Sequence, residues 1–380
     1  MNDEALLQRA LGLAEGALTL SNPNPRVGCV LVSEGAVIGE GHTQRAGEAH
    51  AEVMALRDAR GRGLDPRGAT AYVTLEPCSH HGRTPPCCDA LVDAGIARVV
   101  IAVQDPNPRV AGKGVRRLQA AGVRADVLPA DHPLSLASRE LNIGFFSRML
   151  RGTPWVRMKI AASLDGITAL PDGQSQWITD AAARQDGHHW RARACAVLTG
   201  IGTVRDDDPR LDVRGVSGLV RQPHLVVVDS RLQTPLDARL FEPPAEGGPR
   251  QVWLFHAVAA PDAEAALLAR GAQLRCLPNQ HGKVDLADLL RDLGRREVNE
   301  LHVEAGHLLN GSLLREGLVD ELLVYLAPRL LGQGAGLATL GAPEHIPDEA
   351  ELRFVQAQPV GSALRVLARR RTSEDALHRP

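Results

Sequence analysis

Short apolar segments alternate with helical ones along this chain, and glycines punctuate the ends of several helices. In the first 150 residues, helical patterns such as Asp3–Leu18 and Ala49–Ala59 alternate with strand-sized apolar runs such as Val27–Val32 and Val99–Val103. The same alternation restarts at Trp155–Ala161 and continues through the second half. This pattern predicts an α/β protein in which helices pack on open sheets.

The predicted boundary between two domains lies at the end of a longer helical segment, Pro133–Leu150, where a glycine and a proline follow as stop signals. At about 150 residues per domain, 380 residues have room for two or three domains. We therefore predict domains at 1–150 and 151–368, followed by a polar tail at 369–380. The tail is expected to fray, as chain ends do.

The composition excludes several classes of protein. Lys plus Arg total 43 against 45 for Asp plus Glu, a balance that argues against a nucleic-acid binder. The longest apolar runs are strand-sized, whereas a membrane span requires about 20 residues. The chain opens with acidic residues where a secretory signal is basic, and six cysteines are too few for a disulfide scaffold. We expect a cytoplasmic protein with neither a membrane nor a nucleic-acid partner.

One histidine and two cysteines carry the strongest chemical signal. His50 precedes Glu52 by two residues, Cys78 follows a predicted strand, and Cys87 begins a predicted helix. One imidazole and two thiolates leave a tetrahedral Zn²⁺ one open position for water, which is typical of a catalytic zinc site. Glu52 is then placed to shuttle a proton from that water to a leaving amine. We predict one zinc ion per chain, held by His50, Cys78 and Cys87.

This pattern matches the H-x-E and P-C-x-x-C signature of zinc nucleobase deaminases except in the spacing of the cysteines. Eight polar and basic residues, rather than two, separate Cys78 from Cys87. The alternative hypothesis is a structural zinc site in which His80 or Cys88 supplies a fourth ligand. That alternative leaves Glu52 without a role.

Seven longer motifs extend beyond the metal pattern. They are Asn22–Val30, Arg45–Glu52, Thr74–Cys87, Gln104–Pro108, Ser163–Gly166, Ser175–Thr179 and Val303–Gly306. With these motifs the chain resembles the bifunctional riboflavin-biosynthesis deaminase/reductases, over about residues 1 to 368.

For the first domain the resemblance implies a cytidine-deaminase-like fold that removes an amino group from a diaminopyrimidinone ribotide by hydrolysis, releasing ammonia. It also implies that Asn24 and His42 hold the pyrimidine, and that His80 and Arg83 meet polar or phosphate groups of the substrate. On the residues alone, Asn24 between two prolines is also a candidate turn residue, and His80 a candidate solvated loop residue.

The residues of the second domain indicate cofactor chemistry less directly. Gly200–Gly202 follows a predicted strand but lacks the third glycine of a dinucleotide fingerprint. Gly306–Ser312 opens a helix whose N–H groups suit a pyrophosphate. Ser230 and Arg231, at another strand end, suit an adenosine 2′-phosphate. Ordinary helix caps and turns explain the same residues.

For this domain the resemblance implies a dihydrofolate-reductase-like fold that uses NADPH to reduce C1′ of the ribosylamine to a ribityl chain. The implied cofactor contacts are Ala161, Trp177, Thr203, Asp207, Ser230, Gly306, His307, Leu308, Leu309, Asn310, Gly311 and Ser312. The implied substrate contacts are Ser175, Arg191, Leu211, Arg214 and Glu304. Arg191 and Arg214 are chemically suited to bidentate contacts with a ribose phosphate.

Two residues of this domain have competing explanations. Lys159 lies in an apolar strand, where a charge needs a reason; we predict that it polarises C1′, and the alternative is a lysine on an edge strand that faces water. Trp177 is either a stacking surface or a core residue. We expect the protein to be a homo-oligomer that acts on a small-molecule pyrimidine ribotide.

Two rival hypotheses concern the whole chain. In the first, one domain has lost its chemistry, which the intact set of His50, Glu52, Cys78 and Cys87 argues against for the first domain. In the second, the chain is a zinc-dependent nucleic-acid module. Its balanced charge does not provide a basic groove for the nucleic-acid backbone, and its few aromatic residues do not provide a surface on which bases stack.

Overall fold

The chain divides into two α/β units between Gly152 and Thr153. The structure, a computed structural model, describes residues 2–80, 85–108, 110–341 and 352–378. Both units alternate helices with strands, so the predicted α/β class is confirmed. Within the described part of the chain, no helix has the length and apolar character that crossing a membrane requires.

The first unit is built on a five-stranded sheet. Its elements are α1 (Asp3–Glu15), β1 (Gly28–Ser33), β2 (Ala36–His42), α2 (Ala51–Gly61), β3 (Thr70–Val73), α3 (Cys87–Asp93), β4 (Arg98–Ile101), α4 (Lys113–Ala120), β5 (Arg124–Val127), α5 (Pro133–Leu141) and α6 (Ile143–Arg151). The strand order is β2-β1-β3-β4-β5, with β1 antiparallel to both neighbours and β3, β4 and β5 parallel. The start of β1 and the ends of β2, β3 and β4 therefore lie at one edge of the sheet.

Close packing of α2 on β2 brings functional residues to that edge. Gly41 of β2 makes this packing possible, because a Cβ there would lie 2.5 Å from both the backbone nitrogen of Ala55 and Cβ of Met54. The start of α2 is thereby held beside the end of β2. His50, the N-cap of α2, lies at this point.

Two helices replace the single helix predicted over Pro133–Leu150, and Asn142 separates them. The Asn142 side chain is 1% exposed and pairs with the backbone of Arg26: its Oδ1 accepts from the Arg26 N–H at 2.7 Å, and its Nδ2 donates to the Arg26 carbonyl at 2.9 Å. An amide that satisfies a distant backbone in this way interrupts the helix and fixes the segment that leads into β1.

The second unit is built on a nine-stranded sheet. Its elements are β6 (Trp155–Ser163), α7 (Ala181–Arg193), β7 (Ala196–Gly200), α8 (Ile201–Asp207), β8 (His224–Val228), a 3₁₀ turn (Arg239–Phe241), β9 (Val252–His256), α9 (Pro261–Ala269), β10 (Ala272–Cys276), α10 (Leu286–Arg295), β11 (Glu300–Val303), α11 (His307–Arg315), β12 (Glu321–Ala327), β13 (Leu352–Val360), β14 (Ala363–Arg370) and α12 (Arg371–His378). The strand order is β10-β9-β8-β7-β11-β6-β12-β14-β13. The first seven strands in this order are parallel, and β14 is antiparallel to both of its neighbours, β12 and β13.

Buried charges link the central strands of this sheet. Arg157 on β6 is 1% exposed and donates to Glu300 on β11 and Glu321 on β12. Arg193 pairs with Glu300 at 2.7 Å, and Arg369 pairs with Glu321 at 2.6 Å. A network of three guanidinium groups and two carboxylates thus joins four strands and a helix on one face of the sheet.

The same network orders the residues expected to form a frayed polar tail at 369–380. Arg369 belongs to β14 and is 4% exposed, and α12 follows it. Over the described residues 369–378 the expectation of a frayed tail is wrong, because the ion pair of Arg369 with buried Glu321 anchors the chain.

Two glycine-to-alanine substitutions test the packing of the first unit. Gly41→Ala should destabilise the protein by about 3 kcal/mol or more, because the added methyl group overlaps backbone atoms of α2. Gly12→Ala is the matched control: Gly12 is exposed inside α1, its Cβ would meet nothing within 4 Å, and alanine should stabilise the helix by about 0.5–1 kcal/mol. Thermal unfolding of the two variants measures both effects; equal transition temperatures would contradict the close approach.

Candidate active sites

Three candidate metal ligands converge at the sheet edge of the first unit. His50 Nδ1, Cys78 Sγ and Cys87 Sγ all lie within 4.8 Å of one another. His50 Nδ1 is 3.3 Å from Cys87 Sγ and 3.7 Å from Cys78 Sγ. His50 caps α2, Cys78 follows β3, and Cys87 is the first residue of α3. One imidazole and two thiols are a donor set that zinc takes in tetrahedral sites, so the residues fit that metal.

The start of α3 stabilises negative charge on Cys78. The Cys78 sulfur accepts a hydrogen bond from the backbone N–H of Cys87 at 3.2 Å. The Cys87 side chain, the His50 ring and this N–H together lower the pKa of Cys78, although burial opposes the shift. The resulting thiolate, with burial, raises the pKa of Cys87. A site with this charge favours a cation, which would deprotonate the second thiol as well.

Glu52 lies in the first turn of α2, two residues after His50, and is 3% exposed. Burial, and then the negative charge of Cys78, raises the pKa of its carboxyl group. A carboxyl group whose pKa is raised towards neutrality suits proton transfer better than an ordinary surface glutamate.

Neither residue considered as a fourth ligand belongs to the cluster. Cys88 is fully buried, and its thiol donates to the Pro77 carbonyl at 3.3 Å. His80 has a buried Nδ1 with no hydrogen-bond partner among the residues described. In that part of the chain the metal-binding cluster holds only His50, Cys78 and Cys87, which leaves the structural-site alternative without its fourth ligand.

Asn24 and His42 lie at the same sheet edge, where β1 starts and β2 ends. The backbone N–H of Asn24 donates to the Ser21 carbonyl at 2.8 Å, so Asn24 does occupy a turn. Burial lowers the pKa of His42, which keeps its ring neutral. Arg83 lies outside the described residues.

Glu76 is a buried carboxylate that the sequence reasoning missed. It is 3% exposed and accepts from the backbone N–H groups of Gly112 at 2.9 Å, Val115 at 3.1 Å and Asp105 at 3.2 Å. These bonds tie the start of α4 to the segment that carries Cys78. The sequence feature that could have identified Glu76 is its position at the end of an apolar strand, two residues before the candidate ligand Cys78.

A cluster of charged side chains in the second unit links the middle of β6 to the carboxyl end of β11. Lys159 on β6 places its Nζ 4.0 Å from Glu304, which directly follows β11. Arg191 on α7 holds the same carboxylate through two bonds of 2.7 and 2.9 Å. Because β6 lies between β11 and β12, the alternative of a lysine on an edge strand is wrong. Burial lowers the pKa of Lys159.

The two arginines expected to bind a phosphate have different surroundings. Arg191 is fully engaged, since it also donates to the Asp212 carbonyl beside its pair of bonds to Glu304. The Arg214 side chain is 56% exposed and lies 3.7 Å from Asp212. Leu211 is 6% exposed and its side chain packs in the apolar core, not on the surface where a substrate would lie.

His302 is a second residue that the sequence reasoning missed. It is fully buried on β11, and its Nε2 lies 3.4 Å from Glu304. Burial lowers the pKa of its ring, and neither ring nitrogen has a hydrogen-bond partner among the described residues. The sequence could have indicated this residue, because His302 lies two residues before Glu304 and such a spacing in a strand places both side chains on one face.

Two expected cofactor contacts, Thr203 and Gly306, lie close together where the segments after β7 and β11 meet, and an expected substrate contact, Ser175, lies beside a third, Asp207. Ser175 Oγ lies 3.3 Å from Asp207. A Cβ on Gly306 would lie 3.9 Å from Thr203 Oγ1, with nothing nearer. Trp177 is 61% exposed and stacks on an arginine, so the core alternative for it is wrong. Ala161 is half-buried on β6.

The run Gly306–Ser312 offers fewer free donors than the sequence suggests. Helix α11 begins at His307, and the N–H of Asn310 already donates to the Gly306 carbonyl at 3.1 Å. Only the first-turn N–H groups of 307–309 remain for an anion. Among the other residues of the run, Leu308 is 66% exposed and Leu309 is half-buried against the core. Asn310 is 2% exposed, and its side chain donates to the Leu337 carbonyl. Gly311 is buried, and the Ser312 hydroxyl forms a hydrogen bond within the helix.

The fold and the two sites define a class: a cytidine-deaminase-like domain with a His/Cys/Cys cluster, followed by an open α/β domain with a lysine–glutamate–arginine cluster. Residues 1–103 match the family model of the cytidine and deoxycytidylate deaminase zinc-binding region, and residues 154–366 match that of the RibD C-terminal domain. The chain belongs to the RibD family of riboflavin-biosynthesis proteins.

Individual relatives agree over nearly the whole chain. The riboflavin biosynthesis protein RibD of Escherichia coli (strain K12) is 46% identical, over 95% of this chain and 97% of its own. The structure of Acinetobacter baumannii RibD, form 1, has a TM-score of 0.85 and 40% identity, covering 97% of this chain and 98% of the other. A diaminohydroxyphosphoribosylaminopyrimidine deaminase/5-amino-6-(5-phosphoribosylamino)uracil reductase from Thermotoga maritima has a TM-score of 0.83 and 32% identity, with the same coverage. The resemblance inferred from the motifs is confirmed.

The two adjacent cysteines of α3 should respond differently to substitution. Cys87→Ser should lose most of the zinc, because it removes a sulfur of the converging cluster. Cys88→Ser is the matched control and should keep zinc at a cost of about 1 kcal/mol of stability, since its thiol contacts Pro77 and not the cluster. Metal content per chain decides the matter: zinc lost from Cys88→Ser and kept by Cys87→Ser would contradict this geometry.

Proposed function

We propose that this chain is a bifunctional enzyme of riboflavin biosynthesis. Domain 1–150 deaminates 2,5-diamino-6-ribosylamino-4(3H)-pyrimidinone 5′-phosphate by zinc-dependent hydrolysis. Domain 151–368 then reduces the ribosyl group to a ribityl chain with NADPH. The observation that carries the proposal is the convergence of His50, Cys78 and Cys87 beside buried Glu52, in a unit that matches a deaminase zinc-binding region. The name of the Thermotoga maritima relative supports both half-reactions and their substrates.

In the deaminase domain, some residues bind the metal or the pyrimidine and Glu52 transfers protons. His50, Cys78 and Cys87 would hold the metal, and zinc bound there would supply the Lewis acidity that activates water at neutral pH. Glu52 takes a proton from the attacking water and delivers it to the departing amino group, a role that its raised pKa suits. His42, neutral through burial, and Asn24 hold the pyrimidine ring at the same sheet edge.

In the reductase domain the cofactor supplies the hydride, and the protein supplies orientation and charge. Arg191 fixes the Glu304 carboxylate through two bonds, so Glu304 faces Lys159 in a set position. Lys159 polarises C1′ through its Nζ as the ribose ring opens to an imine. Arg214, whose guanidinium is more exposed, takes the 5′-phosphate. We place the enzyme in the cytoplasm as a homo-oligomer that acts on this small-molecule ribotide.

The strand end at β8 suits the 2′-phosphate of NADPH. The carboxylate of Asp229 directly follows β8, and in an NAD-binding site such an acid holds the ribose hydroxyl. Here Asp229 is 1% exposed and accepts two bonds of 2.8 Å from Thr234, so it is engaged. Ser230 is half-buried with its Oγ accepting from the Val284 N–H, which leaves its hydroxyl proton to donate. Arg231 is exposed beside it.

Glu52→Gln tests the deaminase mechanism. The amide should keep zinc but slow ammonia release by roughly 10²–10⁴-fold, because it does not accept the proton of water. Reduction of the already deaminated substrate should be unchanged. Glu48→Gln is the matched control, since it removes an exposed carboxylate four residues away. Ammonia release close to that of the wild type in Glu52→Gln would show that Glu52 is not the shuttle.

Cofactor preference tests the reductase assignment. We expect kcat/KM to be higher with NADPH than with NADH, and Arg231→Ala to lower the NADPH value by roughly tenfold or more through loss of a charge-assisted contact. The NADH value should change little in the same variant. Arg291→Ala, an exposed arginine on α10 paired with Asp288, should leave both values unchanged. Equal kcat/KM for the two cofactors in the wild-type enzyme would contradict the assignment.

A further inference from the structure

Residues 328–340, here called the strap, follow β12 without forming a helix or strand of their own. The strap contacts separate segments that carry expected cofactor residues. Near its start, Arg329 donates to the backbone carbonyl of Trp177 at 3.3 Å. The strap therefore contacts the segment that carries one expected cofactor residue before it reaches the others.

Asp165 anchors the first part of the strap. Its carboxylate accepts from the backbone N–H of Gly332 at 2.7 Å and from that of Leu331 at 3.0 Å. It also accepts from the Ser163 hydroxyl. These hydrogen bonds lower the pKa of Asp165 to about 2, and the bond from Ser163 has the largest effect. The carboxylate is therefore charged at any physiological pH. Asp165 belongs to the motif Ser163–Gly166, to which the proposed function gives no role.

A close backbone contact holds the middle of the strap. Ala335 and Ala169 form an isolated antiparallel bridge, in which the Ala335 N–H donates to the Ala169 carbonyl at 2.8 Å and the Thr168 N–H donates to the Ala335 carbonyl at 2.8 Å. At Gly334 an added Cβ would lie 2.2 Å from the Ala169 carbonyl oxygen and 2.6 Å from Ile167 Cγ2. Two positions later, a Cβ on Gly336 would meet nothing within 4 Å. The strap is thus tightly packed at Gly334 and open at Gly336.

The far end of the strap touches the first turn of α11. The N–H of Thr339 donates to the His307 carbonyl at 2.9 Å, and its hydroxyl lies 2.7 Å from His307 Nδ1. A Cβ on Gly311 would lie 2.1 Å from the Thr339 carbonyl oxygen, so the strap and the helix are in direct backbone contact. His307 opens the turn that holds the free N–H donors.

We propose that Asp165 is a positioning residue for NADPH: through the strap it sets the orientation of the α11 first turn and of the Trp177 segment. The inference rests on the proposed use of NADPH. A thirteen-residue irregular segment loses conformational entropy when it is ordered, and a charged acceptor that binds two of its N–H groups opposes that loss. The chemistry at C1′ is assigned to other residues, so the effect should fall on cofactor affinity.

The test measures the NADPH dissociation constant by fluorescence titration, and kcat and KM for NADPH, on the full-length zinc-loaded protein. Asp165→Asn should raise the dissociation constant and KM by roughly tenfold, because one N–H of the strap then faces an amide donor. The value of kcat at saturating NADPH should stay within twofold of the wild type. Deaminase activity, which resides in the other domain, and the melting temperature report on folding.

A pair of neutral substitutions tests the strap without changing charge. Gly334→Ala should weaken NADPH binding as Asp165→Asn does, since its methyl group overlaps the Ala169 carbonyl. Gly336→Ala is the matched control in the same segment and should bind NADPH like the wild type. Agreement of Asp165→Asn with Gly334→Ala, and their difference from Gly336→Ala, is the expected result.

Two further results overturn the inference in distinguishable ways. If the wild-type protein binds NADPH and both Asp165→Asn and Gly334→Ala bind it within twofold, or lose kcat at unchanged affinity, the inference alone is wrong. If the wild-type protein does not bind NADPH, the proposed cofactor is wrong and the inference is wrong with it.

Discussion

The buried ion pairs of Arg157 set the register of the strands on which the second site depends. Arg157 joins Glu300 on one neighbouring strand to Glu321 on the other. A slip of one residue would turn every side chain of a strand to the opposite face, and would leave a charge buried without a partner, which costs about 3–5 kcal/mol. Apolar side chains alone tolerate such errors better, so we attribute the single register of these strands to the charges.

That register places the reactive groups. Lys159 lies two residues beyond Arg157 on β6, and Glu304 lies four residues beyond Glu300 at the end of β11. In strands these spacings keep side chains on one face. The buried ion pairs of Arg157 therefore align Lys159 with Glu304 further along the same strands. In the first unit the comparable task falls to Glu76 and Asn142, whose hydrogen bonds hold the segments that carry Cys78 and lead into β1.

The sequence predicted that His50, Cys78 and Cys87 come together, because these residues are chemically distinctive and lie on short, locally recognisable segments. His50 and Glu52 lie on one helix, and Cys87 follows two prolines that mark a helix start. The family resemblance, and with it the two-part fold, could also be read from motifs. What the sequence did not reveal were partners far apart along the chain. Arg191 and Glu304 are separated by 113 residues, and no local pattern indicates that they bind each other.

Strand order was also beyond a sequence pattern. A lysine in an apolar strand, such as Lys159, is compatible with an edge strand or with a central strand. The strand order decides between these alternatives, because β6 pairs with β11 on one side and with β12 on the other. The division of one predicted helix at Asn142, and the ordered chain end at Arg369, have the same origin. In each case a buried polar contact with a distant segment overrides the local preference.

The strand order also governs how the two halves emerge during synthesis. All five strands of the first sheet are complete by Val127, so that unit is able to fold while the rest of the chain is still being made. Strand β6 leaves the ribosome early but pairs with β11 and β12, whose synthesis begins at Glu300 and Glu321. At roughly 5–20 residues per second, the apolar side chains of β6 wait on the order of ten seconds for their partners. A nascent chain therefore carries a finished first domain beside an unpaired, aggregation-prone strand, an interval in which chaperone binding would protect the second domain.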